Sequence, residues 1–106
     1  MLRRRADFEA LGRNGTARST PLMVMRLART ERTETRIGLS TPRTLGGAVE
    51  RNRVRRRLRI LLRERIGRIG PGWDLLLIAR PAAVDVSQAL LGEAIDVLLA
   101  RSNIGR

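Results

Sequence analysis

The spacing of apolar and polar positions changes several times along the chain, and each change marks an element. Phe8 and Leu11 stand at i, i+3, with Asp7 and Glu9 in the early turns. That pattern predicts a short helix over residues 5–13, stopped by Asn14-Gly15. Leu22-Met23-Val24-Met25-Arg26-Leu27 follows Pro21 and predicts a strand, whereas 28–34 has no apolar period and predicts an exposed loop. From Thr35 to Thr41, Ile37 and Leu39 alternate with Arg36, Gly38 and Ser40, which is the period of a second strand. These two strands are expected to pair antiparallel. Pro42 and Gly46-Gly47 interrupt the pattern, and an extra short strand is expected near 16–20 or 43–46.

Helical periodicity then runs from Ala48 to Ile66, with Gly67, Gly70, Pro71 and Gly72 expected to end it. Asp74-Leu75-Leu76-Leu77-Ile78-Ala79 is a continuous apolar run between turn residues, which predicts a strand buried on both faces. Ser87 to Ala100 predicts a last helix with Leu91, Ile95 and Leu98 as its apolar stripe, and with Asp85 and Gln88 resembling a capping box. The order α-β-β-(β)-α-β-α describes an α+β single domain. It has a small mixed sheet of about four strands packed against helices. Residues 1–5 form a short basic N-terminal tail, and a C-terminal tail begins at about residue 102.

Composition adds a constraint that the periodicity does not contain. The 106 residues carry a formal net charge of +12, and all 22 basic residues are arginine. Cysteine, histidine and tyrosine are absent, and the aromatics are Phe8 and Trp73. A Cys/His metal site and histidine-based acid–base or nucleophilic catalysis are therefore excluded. So is an RNA platform that stacks several bases on aromatic rings. The ten carboxylates show no spacing suited to a two-metal nuclease, and no phosphate-loop motif is present. No apolar run approaches the length of a membrane span, and nothing resembles a secretory signal, so the expected compartment is the cytoplasm.

The charge is concentrated. Residues 1–47 hold 10 arginines and 4 acids (net +6), 48–66 hold 8 and 2 (net +6), and 67–106 hold 4 and 4 (net 0). On the predicted helix, Val54, Leu58, Leu61, Leu62 and Ile66 fall within an arc of roughly 140°. Asn52, Arg56, Arg59 and Arg63 form the opposite stripe, flanked by Arg53 and Arg57, while Arg51 and Arg55 lie close to the apolar arc. A merely solvated face mixes signs to gain i, i+4 pairs, but here only Glu50 and Glu64 interrupt eight arginines. A polyanion offsets such repulsion, and guanidinium binds phosphate bidentately and stacks on bases. Nucleic acid is the expected partner, with no membrane role.

Ala48-Val49-Glu50-Arg51-Asn52-Arg53-Val54-Arg55-Arg56-Arg57-Leu58-Arg59 resembles the Arg-Asn-Arg helix of the bacterial ribonuclease P protein component. Asp7-Phe8 with Gly15, Arg36-Ile37-Gly38-Leu39-Ser40, and Trp73-Asp74 through Ala79-Arg80-Pro81 resemble the elements around that helix, so the likeness spans roughly residues 3–100. The resemblance implies a protein subunit of a ribonucleoprotein that removes the 5′ leader of precursor tRNA, an endoribonuclease reaction. It places catalysis and most of the Mg2+ binding in the RNA subunit, with no catalytic residue in the protein and one protein per RNA. It implies contact with the ribonuclease P RNA through Arg51, Asn52, Arg53, Arg55, Arg56 and Arg59. It also implies a leader-binding cleft lined by Phe8, Met23 and Ser40, with Arg43 nearby, and a left-handed β-α-β crossover. Gly12, Arg26 and Pro42-Arg43-Thr44 depart from the family's usual aromatic, tyrosine and Ser-Lys-Lys positions, which shifts leader contact toward charge. The alternative is a ribosomal or DNA-binding basic structural protein with no processing role, its arginine helix seated in a major groove.

Overall fold

In a computed structural model the described residues are 15–102. The expected helix over 5–13, and Phe8 with it, lies outside them. Four strands follow one another as β1 (Thr16–Ser19), β2 (Met23–Arg29), β3 (Arg36–Ser40) and β4 (Trp73–Ala79). Helix α1 (Ala48–Ile69) joins β3 to β4, and α2 (Gln88–Arg101) closes the described chain. Of the two places offered for a short extra strand, 16–19 is one, and Arg43–Leu45 is instead a 3-10 turn.

The sheet order is β1-β2-β4-β3. β1 and β2 are antiparallel, β2 and β4 are antiparallel, and β3 runs parallel to β4. The expected antiparallel pairing of β2 with β3 is therefore wrong: β4 lies between them. The reason is burial. Leu75, Leu76 and Leu77 are all buried although successive strand residues face opposite sides, so β4 needs cover on both faces and neighbours on both edges. β3 carries Gly38 and Ser40 on its second face and settles at the edge. The loop after β2 is accordingly no hairpin. It passes the start of β4, where Thr30 N–H donates to Gly72 O at 2.8 Å, Thr35 Oγ1 donates to Gly70 O at 2.5 Å, and Trp73 N–H donates to Thr35 Oγ1 at 3.2 Å.

One sheet face carries the core. The register sets Met23 against Ala79, Met25 against Leu77 and Leu27 against Leu75, and all six are buried. Val54, Leu58, Leu61 and Leu62 of α1 and Leu91, Ile95 and Leu98 of α2 pack onto them, so both helices lie on this face. At roughly 25 cal/mol per Å2 of apolar surface, each such Leu or Met contributes about 2 kcal/mol relative to an exposed one. On the second face Leu76 packs with Ala28 and Ile78 as a small separate cluster. Nearby, Arg36 and Asp74 form a cross-strand pair, with Nε–Oδ1 at 2.9 Å and Nη2–Oδ2 at 2.7 Å.

Two helix boundaries differ from expectation. α1 runs through Gly67 to Ile69, and Gly70 ends it at φ 77, a conformation that suits glycine. Ile69 is buried while Ile66 is 42% exposed, so the extra turn anchors itself through Ile69 and Ile66 leaves the core. That anchor offsets the roughly 1 kcal/mol that a mid-helix glycine costs. At the other helix, Ser87 is the N-cap, its Oγ accepting the Leu90 N–H at 3.2 Å. The Asp85–Gln88 capping box does not form, because Gln88 is bonded to α1 instead.

Candidate nucleic-acid interface

Helix α1 carries arginines in three distinct environments. On its outer face Asn52, Arg53, Arg56, Arg59 and Arg63 are exposed. Arg56, Arg59 and Arg63 make no hydrogen bond or ion pair among the described residues. Asn52 Oδ1 accepts a bond from Arg55 Nη1 at 3.3 Å, and Arg53 makes only a long contact, 3.4 Å from Nη2 to Val84 O. This face is a line of solvated guanidinium groups with their forks free, the arrangement that meets phosphate oxygens without first breaking protein bonds.

The side toward α2 is different. Arg57 Nε donates to Gln88 Oε1 at 2.9 Å and its Nη2 to Val86 O at 2.6 Å, while Gln88 Nε2 donates back to Arg57 O at 3.1 Å. Arg65 grips Asp96 with both Nε (2.7 Å) and Nη2 (3.3 Å) and returns Nη1 to Leu61 O at 3.0 Å. Arg68 also donates to Asp96. The hydrogen bond from Arg65 is the main cause that holds the Asp96 carboxyl below its usual range, with Arg68 adding to it and burial opposing. Gly92 makes room for this seam: a Cβ there would stand 2.9 Å from Arg65 Nη2.

The helix start forms the third environment. Arg51 and Arg55, placed by periodicity near the apolar arc, are both half-buried. Arg51 Nε is the one buried side-chain polar atom without a partner among the described residues. Arg55 Nη2 donates to Thr41 Oγ1 at 2.6 Å, and Thr41 is itself buried. Together Ser40, Thr41 and Arg55 line an open pocket of about 390 Å3 at the end of β3, beside Leu39 and Leu76. Arg43 is exposed in the 3-10 turn that follows.

The expected cleft residues thus divide. Ser40 lies in this pocket and Arg43 two residues beyond its Thr41. Met23 does not join them: it is fully buried in the core, on the helix-bearing face of β2, and presents no surface to a ligand. Its placement as a cleft residue is corrected: Met23 packs the sheet against the helices. Thr41, which no motif singled out, orients Arg55. Its only sequence signal is a hydroxyl between the strand end and Pro42.

Among the described residues no three His, Cys, Asp or Glu side chains gather as a metal would require, and no helix is long and apolar enough to cross a membrane. Asp74 and Asp96 are both engaged by arginine.

The comparisons with known proteins agree with this geometry. The family model for ribonuclease P matches residues 1–103. The ribonuclease P protein component of Streptomyces avermitilis is 38% identical over 110 residues, covering 94% of this chain and 89% of that one. That of a Roseiflexus species is 37% identical over 100 residues, with 90% and 82% covered. Among solved structures, the RNase P protein from Thermotoga maritima aligns with a TM-score of 0.85 at 27% identity, covering 94% of each chain. The Staphylococcus aureus RNase P protein shares the fold, with a TM-score of 0.90 at 24% identity over 99% of this chain and 96% of that one. With the arginine helix between a parallel strand pair and a family match running nearly end to end, the chain belongs to the ribonuclease P protein family.

Proposed function

We propose that this protein is the protein subunit of ribonuclease P and acts in the cytoplasm. In this reading it binds the ribonuclease P RNA through the outer face of α1 and helps hold the 5′ leader of precursor tRNA. The observation that carries the reading is the row of exposed arginines at Arg56, Arg59 and Arg63, without hydrogen bond or ion pair among the described residues, on a helix that also bears Arg51-Asn52-Arg53. A phosphate backbone neutralises such a row and releases its own counterions, which makes the association favourable and salt-dependent. Arg51, Asn52, Arg53, Arg55, Arg56 and Arg59 are the proposed RNA contacts. Arg55, tied to Thr41 beside Ser40, connects that surface to the proposed leader cleft, to which Phe8 and Arg43 also belong.

Cleavage of the phosphodiester is assigned to the RNA subunit, with Mg2+ held mainly by that RNA. The donor set supports this assignment. The described carboxylates do not converge, and the two most enclosed by partners, Asp74 and Asp96, are tied to arginine rather than open to a cation. The protein's part is therefore to screen charge and orient two RNA chains, one protein per RNA.

The test adds the purified protein to a bacterial ribonuclease P RNA at low Mg2+ and measures cleavage of precursor tRNA. Rescue of cleavage at the mature 5′ end is expected, with no cleavage by protein and Mg2+ alone. Failure to rescue, together with equal affinity for random duplex DNA, would sink the reading in favour of a structural nucleic-acid-binding protein.

A further inference from the structure

Trp73 is the chain's single tryptophan, and there is no tyrosine. It opens β4, where the register sets it beside Arg29, the last residue of β2. The Arg29 guanidinium carbon lies 4.9 Å from the centre of the indole ring, a cation–π contact. On the neighbouring strand Thr16 and Arg18 face the same side, since their partners Leu27 and Met25 face the core. The last turn of α2 brings Arg101 to this corner. Thr16, Arg18, Leu27, Arg29, Trp73 and Arg101 line one open pocket of about 320 Å3.

Three guanidinium groups share this pocket, and none of them pairs with a carboxylate among the described residues. Arg18 Nη1 donates to Ala17 O at 3.0 Å and Arg101 Nη1 to Ser19 O at 3.1 Å, both carbonyls of β1. Each bond fixes a guanidinium by one N–H and leaves the rest of its five donors available. The negative end of the α2 dipole accounts in part for Arg101. It does not account for Arg29, which ends a strand and lies over the indole. Pinned cations around an aromatic face match the chemistry of a nucleotide: phosphate for the forks, and a base for the stack.

We propose that this pocket is a second RNA-binding site. It would take a backbone phosphate among Arg18, Arg29 and Arg101, with an adjoining base against the Arg29–Trp73 stack. The site lies at the β1 edge of the sheet, while α1 packs beside β3 at the opposite edge. Two RNA segments would then be held on opposite flanks of one small domain. The proposal rests on the RNA-binding reading above and adds a contact separate from the arginine helix.

Because Trp73 is the only tryptophan, its emission reports this corner alone. The full chain is titrated with a fluorescently labelled single-stranded oligouridylate of about ten nucleotides, a length within the usual range of single-strand sites. Anisotropy of the label reads total binding, and Trp73 emission reads the pocket. Saturable quenching is expected. Its midpoint should move at least about tenfold to higher RNA in the triple variant Arg18→Gln, Arg29→Gln, Arg101→Gln, and several-fold in Arg29→Gln alone, which guards against a folding defect in the triple variant. Replacing Arg56, Arg59 and Arg63 by Gln should weaken binding by anisotropy yet leave the quench at saturation. Binding by anisotropy with no change in Trp73 emission, or midpoints unmoved in both pocket variants, would overturn the proposal while leaving the RNA-binding reading intact. No anisotropy change with this RNA or with ribonuclease P RNA would overturn both. Quenching by inorganic phosphate alone, with no further change on adding RNA, would count against a nucleic-acid ligand.

Discussion

The outer face of α1 and the seam between α1 and α2 are built from the same residue and do opposite things. On the outer face Arg56, Arg59 and Arg63 make no hydrogen bond or ion pair among the described residues. In the seam Arg57, Arg65 and Arg68 meet Gln88, the Val86 carbonyl and Asp96. The difference lies in the neighbouring helix. α2 offers acceptors along one side of α1, and no described residue offers them to Arg56, Arg59 or Arg63 on the other. A count of arginines therefore overstates the surface open to a polyanion, because some of those side chains fasten two helices together. Asp96 offsets part of the charge of Arg65 and Arg68, whereas the denser run over 51–59 has no ion pair among the described residues and keeps a charge that favours a polyanion.

If that division is right, substitutions on the two sides should separate binding from stability. The largest effect is expected from Arg56→Ala, Arg59→Ala and Arg63→Ala together. Affinity for ribonuclease P RNA should fall roughly a hundredfold at low salt, and the slope of log K against log salt should flatten by about two to three. The melting temperature should stay nearly unchanged, since these side chains hold nothing in the fold. A slope that did not move would break the comparison on its functional side.

The converse substitution is Arg57→Ala. It strips partners from Gln88 and from the Val86 carbonyl, so denaturant unfolding should show a loss of about 1–3 kcal/mol. The salt slope of RNA binding should be close to that of the parent protein. A normal stability with a weakened slope would place Arg57 on the RNA side after all.

Asp96→Asn should cost less, up to about 1 kcal/mol, because the carboxylate is partly exposed and solvent screens the pair. This position also gives a pH dependence. Arg65 and Arg68 hold the folded carboxyl below its unfolded value, so its stabilising contribution is complete above about pH 4. That contribution falls away as the pH drops through the lower folded value. Melting curves of the parent and Asp96→Asn should therefore converge in strong acid and separate as the pH rises. A constant gap would show that the pair does not titrate as described.

The smallest stability effect is expected from Thr41→Val, under about 1 kcal/mol, which frees Arg55 from its 2.6 Å bond without emptying the site. Cleavage assays with and without a 5′ leader would then test whether the position of Arg55 matters to the leader. An equal effect on both substrates would dissociate the Thr41–Arg55 pocket from leader contact.

Much of this molecule was legible in the linear pattern. The strand at 74–79 declared itself by an unbroken apolar run, and the last helix by Leu91, Ile95 and Leu98. Both are local signals, since period and composition are properties of neighbours in sequence. The corrections all involve partners far along the chain. Gly67 looks like a helix stop until Ile69, two residues on, finds the core. Met23 looks available for a cleft until Ala79 and the helices cover its face. The Arg18–Arg29–Trp73–Arg101 corner has no motif at all, because its members come from three strands and a helix end.

The sequence by itself determined where the charge is concentrated, the main helices and strands among the described residues, and which family the arginine helix resembles, because these depend on residue type and spacing alone. Only the tertiary structure decided strand order and the fate of each arginine. β4, the last of the described strands, inserts between earlier ones because it alone among them is buried on both faces. Arg57 finds its acceptor 31 residues away while Arg56 beside it finds none among the described residues, because a guanidinium is committed or free according to what packs against it.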